Sequence, residues 1–181
     1  SGDTIRVLGE AVISEQITIN KDLTIVGYDA TIKTSEDFTG AAMFIVEGSE
    51  TDVKFEDIRL DANLKSRVIR ANAGHLSLTN SIVTGGYSSS YVAGVYITNY
   101  ATFEMSGGRI EGNTIADRDD YLQYATDLWV GSQASGVVTN LRGNVFVGSA
   151  FINANSYKKV LDFDLDRIYE EDYWKERVYV N

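Results

Sequence analysis

The chain has 181 residues, with 26 acidic and 16 basic side chains and a formal net charge of −10. This excess argues against a nucleic-acid or anionic-membrane partner, because neutralising phosphates requires an excess of Lys and Arg. Cys is absent, which excludes disulfides and thiolate metal sites, and no run approaches the roughly 18 apolar residues of a membrane-spanning helix. We expect one domain with a substantial core and no membrane insertion.

The opening of the chain predicts three short strands. Residues 4–7, 17–19 and 23–26 alternate β-branched residues with polar ones, and Gly or Asn-Lys-Asp turns separate them. Runs of this length are too short for helices. The initial Ser1-Gly2 is typical of an engineered boundary, so we expect a piece of a longer protein with adjacent domains.

A loose repeat then extends through the chain. Its unit has two apolar anchors two residues apart and a third anchor five residues later. The four copies are Leu23, Ile25 and Ala30; Val53, Phe55 and Leu60; Leu76, Leu78 and Val83; and Phe103, Met105 and Ile110. The middle anchors are separated by 30, 23 and 27 residues. A fixed unit recurring at such a period indicates stacked supersecondary units.

Each unit is also predicted to contain a second strand, placed eight residues before the first anchor. The matching pairs are Ile45 and Val53, Val68 and Leu76, Val95 and Phe103, and Trp129 and Val137. This frame places Trp129 in a strand, with its side chain expected in the core.

Corners and loops follow the third anchor. Asn63, Gly86 and Asn113 each stand three residues after it, and Asn and Gly tolerate the left-handed backbone of a sharp corner. Segments of varied length, 35–41, 85–91 and 114–124, lie between the copies. Variable insertions at one point of a repeat map to loops on one side of the stack, often the binding side.

The end of the chain differs in character. Residues 125–155 resemble a last, degraded coil, whereas Leu161, Phe163 and Leu165 alternate with aspartates as a half-buried strand does. We therefore predict β-helix coils over residues 1–155 and a capping or edge segment of the same domain over residues 156–181, since an open stack needs a cover.

The frame resembles right-handed parallel β-helix domains of the pectate-lyase-like class. Residues 2–7 with 17–27 are similar to the first coil of many such proteins, and Phe103 to Asn113 is similar to repeats of large bacterial surface adhesins. The likeness covers roughly residues 3–155. It implies an all-β fold, a right-handed parallel β-helix (solenoid) with a distinct C-terminal capping segment, in a secreted or surface-anchored bacterial protein.

Catalytic members of this fold are mostly polysaccharide lyases and hydrolases. The resemblance implies clustered acidic Ca²⁺ ligands with an arginine base in the lyases, or several aspartates near a histidine in the polygalacturonases. Neither set can be matched here. His75 is the only histidine and is expected to be a turn residue, and its isolation excludes a multi-histidine metal site.

The densest acidic cluster is Asp117, Asp119 and Asp120, with Asp127 beyond it. Ca²⁺ prefers carboxylate ligands, and glycoside hydrolysis uses paired acids, so a Ca²⁺ site and a catalytic centre are both alternatives to a solvated loop. EF-hand spacing is absent. We expect no cofactor apart from Ca²⁺ at this cluster.

Tyrosines are unusually concentrated in the long loops. Tyr87 and Tyr91 flank the serine-rich loop, and Tyr121 and Tyr124 lie in the next one. Exposed aromatic rings beside polar groups can stack on sugars or anchor a protein partner. The four tyrosines are the candidate ligand-binding residues, and the alternative is that they only cover the faces of the sheets.

Three functions remain open from the sequence. The first is a non-catalytic adhesin, stalk or ligand-binding module that meets an extracellular glycan or a host surface protein. The second is a carbohydrate-active enzyme, a polysaccharide lyase or glycoside hydrolase, with Asp117, Asp119 and Asp120 as its acids. The third is a phage tail-fibre segment, which would form a trimer.

Overall fold

The computed structural model describes residues 2–116, 126–131, 134–139, 145–152, 161–162 and 178–180. The elements of secondary structure in these residues are all β-strands, as the alternation of Val, Ile and Thr with polar residues predicts. The strands are β1 (Asp3–Arg6), β2 (Glu10–Ile19), β3 (Leu23–Val46), β4 (Asp52–Asp61), β5 (Arg67–Ala71), β6 (His75–Thr84), β7 (Tyr87–Ser88), β8 (Val95–Ile97), β9 (Thr102–Ile110), β10 (Thr114–Ile115), β11 (Leu128–Val130), β12 (Ser135–Thr139), β13 (Val145–Val147), β14 (Ala150–Ile152), β15 (Leu161–Asp162) and β16 (Val178–Val180). No helix in this part of the chain is long and apolar enough to cross a membrane.

The strands pair in parallel throughout the described residues. Fourteen form one large sheet that curls nearly into a closed, solenoid-like shape, and β7 with β10 forms a separate two-stranded sheet. The large sheet contains three rows of stacked segments. The first row is 3–6, 23–26, 53–56, 76–79, 103–106, 136–139 and 161–162, and the second is 10–12, 30–33, 58–61, 81–84, 108–110 and 145–147. The third row is 17–19, 44–46, 69–71, 95–97, 128–130, 150–152 and 178–180. The all-β, repetitive character predicted from the sequence is confirmed to this extent.

The first row follows the predicted frame. Ile25 pairs with Phe55, Phe55 with Leu78, and Leu78 with Met105, and all four side chains are buried. Side chains alternate across a strand, so residues two apart face the same interior. The interior is therefore a continuous column of apolar layers, which each coil can bury only against its neighbours.

A sharp bend separates the first row from the second. Asp57, Asn80 and Gly107 stack at this bend with φ of 50°, 47° and 79°. Asp, Asn and Gly are the residues that enter the left-handed region most readily. Their repetition at one place explains why β4, β6 and β9 turn at the same point.

The third anchor is correct in three copies and wrong in the first. Leu60, Val83 and Ile110 are in register, but Leu60 pairs with Ile32, whereas Ala30 pairs with Ile58. The cause is an irregularity of β3, in which residues 27–29 stand opposite the single residue Asp57. Two extra residues therefore move the true anchor from position 30 to position 32.

The second strand of each unit exists as the third row, but its predicted frame is wrong. Ile45 pairs with Arg70, Arg70 with Tyr96, and Tyr96 with Trp129. The turns that follow the third row contain five residues (47–51), three (72–74) and four (98–101), so no constant spacing connects the two rows. Trp129 lies between buried Leu128 and Val130 and is itself half-buried on the outer surface, not in the core.

The corners after the second row have their left-handed residue at the predicted position in one coil and one residue earlier in two others. Asn63 has a φ of 46°, as expected, but Gly85 and Gly112 take the left-handed conformation one residue earlier than Gly86 and Asn113. Asn113 instead contributes its side chain, whose Oδ1 accepts a hydrogen bond from the Gly86 amide at 2.9 Å. The corner is stabilised by a polar side chain between coils.

Only two short parts of the tail are described. Leu161–Asp162 pairs with β12 and Val178–Val180 pairs with β14, both in parallel, so these segments extend the large sheet. Most of residues 156–181, including Phe163 and Leu165, lie outside the described residues. The capping role of this segment and the domain division at 155 remain predictions.

Candidate functional site

The residues proposed from the sequence fall into two groups. Asp117, Asp119 and Asp120, and with them Tyr121 and Tyr124, lie outside the described residues, so their Ca²⁺, catalytic and ligand-binding roles remain predictions. The other two are described: Tyr87 is 39% exposed and Tyr91 is 41% exposed.

An aromatic ladder occupies the outer surface of the third row. Tyr96 pairs with Trp129 and Trp129 with Phe151, so the three rings stand at matching positions on successive strands. Trp129 and Phe151 stack at 3.9 Å between centroids with an interplanar angle of 20°, and Tyr96 meets Trp129 edge-on at 6.3 Å. Aromatic pairs at such separations stabilise adjacent strands.

Tyr91 extends the ladder sideways. Its ring lies 5.3 Å from Trp129 and is tilted by 44°, so the loop tyrosine and the strand tryptophan belong to one cluster. Tyr87 lies elsewhere, on β7, where it pairs with Thr114 in the two-stranded sheet. The structure thus joins one of the predicted tyrosines to Tyr96, Trp129 and Phe151.

Two arginines stand at one end of the ladder. The guanidinium carbons of Arg67 and Arg70 each lie 5.7 Å from the Tyr96 ring centroid, within reach of a cation–π attraction. Arg67 also donates to the Ser90 hydroxyl at 2.7 Å and to the Val92 carbonyl at 2.9 Å, which fixes the serine-rich loop to the third row. We call Arg67, Arg70, Tyr91, Tyr96, Trp129 and Phe151 together the aromatic–arginine face.

The charge on this face is secure at neutral pH. Burial lowers the pKa of Arg67, and the neighbouring Arg70 cation lowers it further. The ordinary pKa of arginine is so high that the side chain stays protonated. Arg70 donates from Nε to the Asn72 side chain at 2.7 Å. Two positive charges are therefore held at one place on a chain with a net charge of −10.

The sequence contains a weak signal for this face. Each strand of the ladder has the pattern apolar, aromatic, apolar, as in Val95-Tyr96-Ile97, Leu128-Trp129-Val130 and Ala150-Phe151-Ile152. Three apolar residues in succession do not reveal which side faces outward. Only the pairing of Tyr96 with Arg70, a charged residue at the same position of the neighbouring strand, would have shown that the aromatic residues face outward.

A buried polar cluster lies at the corner that contains Asn113. Asp127 is 4% exposed; its Oδ1 accepts from the Asn113 side-chain amide at 2.8 Å and its Oδ2 from the Ser149 hydroxyl at 3.1 Å. Burial raises the pKa of the Asp127 carboxyl, although the hydrogen bonds from Asn113 and Ser149 act in the opposite direction. Asp127 thus binds the coils together and does not extend toward solvent as part of an acidic loop.

Replacing Asp127 by Asn should therefore change how stability depends on pH. A carboxyl whose pKa is raised in the folded state contributes stability below its unfolded pKa and loses it as pH rises through the folded pKa. Asn does not titrate, can still accept from Asn113, and can donate to Ser149. We expect the free energy of unfolding of Asp127→Asn, minus that of the natural chain, to increase from pH 3.5 to pH 7.

Urea titrations at several pH values measure this difference, with Asp37→Asn as the control, because the exposed Asp37 has a pKa lowered by the Ser35 hydroxyl and should give the opposite slope. A difference for Asp127→Asn that is constant with pH, or that worsens toward pH 7, would contradict the role of burial.

His75 is the first residue of β6, so the expectation of a turn residue is wrong by one position. Its Nδ1 is 2.8 Å from the Thr102 hydroxyl and its Nε2 is 3.8 Å from a carboxylate oxygen of Glu104. Asp52 on β4 is the residue that pairs with His75. Within the described residues, no group of three His, Asp or Glu side chains could hold a metal ion.

In comparisons with protein-family models, with curated proteins and with solved structures, the chain matches none. Its function must therefore be argued from its own residues.

Proposed function

We propose that the chain is a right-handed parallel β-helix of the pectate-lyase-like class and serves as a non-catalytic, adhesin-like binding module of a secreted or surface-anchored bacterial protein. The parallel registers between the four copies of the repeat, at separations of 30, 23 and 27 residues, support one coil per repeat. The apolar column inside the curled sheet supports a solenoid, because successive coils share it.

The aromatic–arginine face is the observation that carries a binding function. Trp, Tyr and Arg are the residues most enriched at energetically dominant positions of protein interfaces. Here they are contiguous, partly exposed and held by neighbouring strands, so little conformational freedom is lost when a partner docks.

A protein is the partner that this geometry favours over a glycan. Sugars stack on the open face of an aromatic ring, but the faces of Trp129 and Phe151 cover each other. What they present is a row of ring edges beside two guanidinium groups. Such a surface suits a partner with apolar and acidic side chains, because Arg67 and Arg70 would attract carboxylates. We propose a host surface protein of this composition.

Removing the Tyr91 ring should weaken this binding without unfolding the protein. Tyr91 is 41% exposed, so Tyr91→Ala leaves no closed cavity. Truncating a dominant interface tyrosine costs about 2 kcal/mol, or roughly a thirtyfold loss of affinity. The measurement is surface plasmon resonance on partners identified with an array of purified extracellular host proteins.

Tyr100→Ala is the matched control, since Tyr100 is 76% exposed at a turn and stands outside the face. Arg70→Ala should weaken binding too, and raising salt should slow association. Affinity unchanged in both Tyr91→Ala and Arg70→Ala would refute the assignment of the face.

The alternative enzyme is tested on the same preparation. A glycan depolymerisation screen, with and without Ca²⁺, reports any lyase or hydrolase activity. Robust cleavage that is abolished by Asp119→Asn would replace the binding module with the enzyme, whereas binding without turnover supports the module.

A further inference from the structure

The irregularity of β3 has no counterpart in the following coils. At the bend between the first and second rows, Asp57, Asn80 and Gly107 each occupy a single stacked position, but β3 places Gly27, Tyr28 and Asp29 there. Strand irregularities of this kind re-aim side chains and recur beside functional sites. Here the extra residues bring the Tyr28 side chain, 65% exposed, to the outer surface of the bend.

The extra residues help to line a groove. Its volume is about 410 Å³, within the range of small-molecule sites, and its lining includes Tyr28, Asp29, Asp57, Arg59, Asn80 and Ile82. These side chains come from three successive coils, so the groove depends on the stack and not on one loop.

The backbone that presents the tyrosine is strained. Tyr28 has a φ of 48° and Asp29 a φ of 66°, two consecutive left-handed residues other than glycine. For a bulky residue such as tyrosine this conformation is rare and costly. Glycine would relieve the strain, so the backbone conformation at this position does not itself require a tyrosine.

The lining has a mixed chemical character. Asp29 and Asp57 offer carboxylate oxygens that accept hydrogen bonds, whereas Arg59 and Asn80 offer nitrogen donors. The Arg59 side chain is 44% exposed and only loosely paired with Asp61, at 3.8 Å. The Arg6 guanidinium lies 5.5 Å from the Tyr28 ring centroid. Carboxylates disfavour an anionic ligand, and the arginines disfavour a cation.

We propose that this groove is a binding site for a neutral pyranose ring, as a terminal or internal unit of a glycan. Adjacent hydroxyls of such a ring donate to Asp29 or Asp57 and accept from Arg59 or Asn80. Its apolar C–H face packs on the Tyr28 ring, as aromatic platforms beside polar groups allow. The site shares no residue with the aromatic–arginine face, so either can fail without the other.

Three uncharged probes test the proposal: the methyl β-glycopyranosides of glucose, galactose and mannose. Each is titrated into the ¹⁵N-labelled full chain, and the side-chain signals of Asn80 and Arg59 are followed by NMR. A single ring with a few hydrogen bonds should bind at least one probe with a dissociation constant of about 1–10 mM.

Two variants remove the ligand contacts while keeping the backbone. Glycine adopts a positive φ without strain, so Tyr28→Gly and Asp57→Gly should fold with melting temperatures within about 5 °C of the natural chain. Both should raise the dissociation constant at least tenfold. Tyr100→Ala removes another exposed tyrosine and should leave it unchanged.

The proposal is overturned if none of the three probes gives a saturable shift up to about 50 mM, a range that includes the affinity expected of a single ring. It is also overturned if Tyr28→Gly and Asp57→Gly both bind as the natural chain does. Loss of binding in Tyr91→Ala but not in Tyr28→Gly would move the sugar to the aromatic–arginine face and would equally refute the groove.

Discussion

Replacing Met105 by Asp is expected to prevent folding at 25 °C. Met105 is fully buried in the apolar column, where Leu78 precedes it in the stack. A carboxyl placed there finds no charged partner and must either stay ionised at great cost or bind a proton. The loss of several kcal/mol is comparable with the whole stability of a domain, about 5–15 kcal/mol. Circular dichroism with a urea titration measures it.

Ser106→Asp is the matched control for this variant. Ser106 is the next residue on the same strand, half-buried on the outer side, and its hydroxyl lies 3.3 Å from that of Thr79. An outward carboxylate reaches water, so a change within about 1 kcal/mol is expected. If Met105→Asp melted like Ser106→Asp, the assignment of inner and outer sides would be wrong.

Gly108→Ala is expected to be strongly destabilising. Gly108 pairs with Ser81 in the neighbouring coil and has a φ of 95°. An added Cβ would overlap the Ser81 carbonyl oxygen and lie 2.5 Å from its amide nitrogen. Backbone atoms of a packed strand cannot yield locally, so the coils must separate. We expect a loss of about 3 kcal/mol or more, visible as a lower urea midpoint.

Gly9→Ala isolates the backbone part of this effect. Gly9 also has a positive φ, 67°, but an added Cβ meets no atom within 4 Å. Its cost should be only about 1 kcal/mol, the penalty of a left-handed alanine. Equal losses in the two variants would mean that contact between coils does not determine the Gly108 effect.

Much of the fold follows from the sequence, because layers of a stack repeat the same inward pattern. Leu76, Leu78 and Val83 match Phe103, Met105 and Ile110 residue for residue, and the register confirms each match. Such agreement arises where both coils have equal lengths between anchors. The bend residues Asp57, Asn80 and Gly107 could have been recognised as well, since all three readily adopt left-handed φ.

Other parts could not be predicted, because they depend on differences between coils. The sequence interval from Leu23 and Ile25 to Ala30 satisfies the frame by coincidence, while the irregularity at 27–29 makes Ile32 the true anchor. Turns of three to five residues similarly hide the register of the third row. Hydrophobic periodicity reports the pattern that the coils share. It does not reveal a two-residue insertion, because such an insertion keeps the alternation of inward and outward side chains.

The candidate sites follow the same division. The sequence identified Tyr91 as a candidate binding residue from the composition of its loop. Trp129 was predicted to lie in the core but lies on the outer surface of the sheet. The groove beside Tyr28 could not be found, because Asp57, Arg59 and Asn80 are distant in sequence from it and meet only through stacking. Sites built across coils are properties of the register.

The unequal coils also bear on how the chain reaches its fold. The first-row pairings join residues only 20 to 33 apart, so the entropy cost of closing each loop is small and similar. A chain of identical coils could slip by one whole repeat and still bury an apolar column. In this chain, a pairing that slipped by one repeat would be out of register within one strand. The two-residue insertion at Tyr28 and the unequal turn lengths both cause this mismatch. These irregularities therefore specify which strand segments stack on each other.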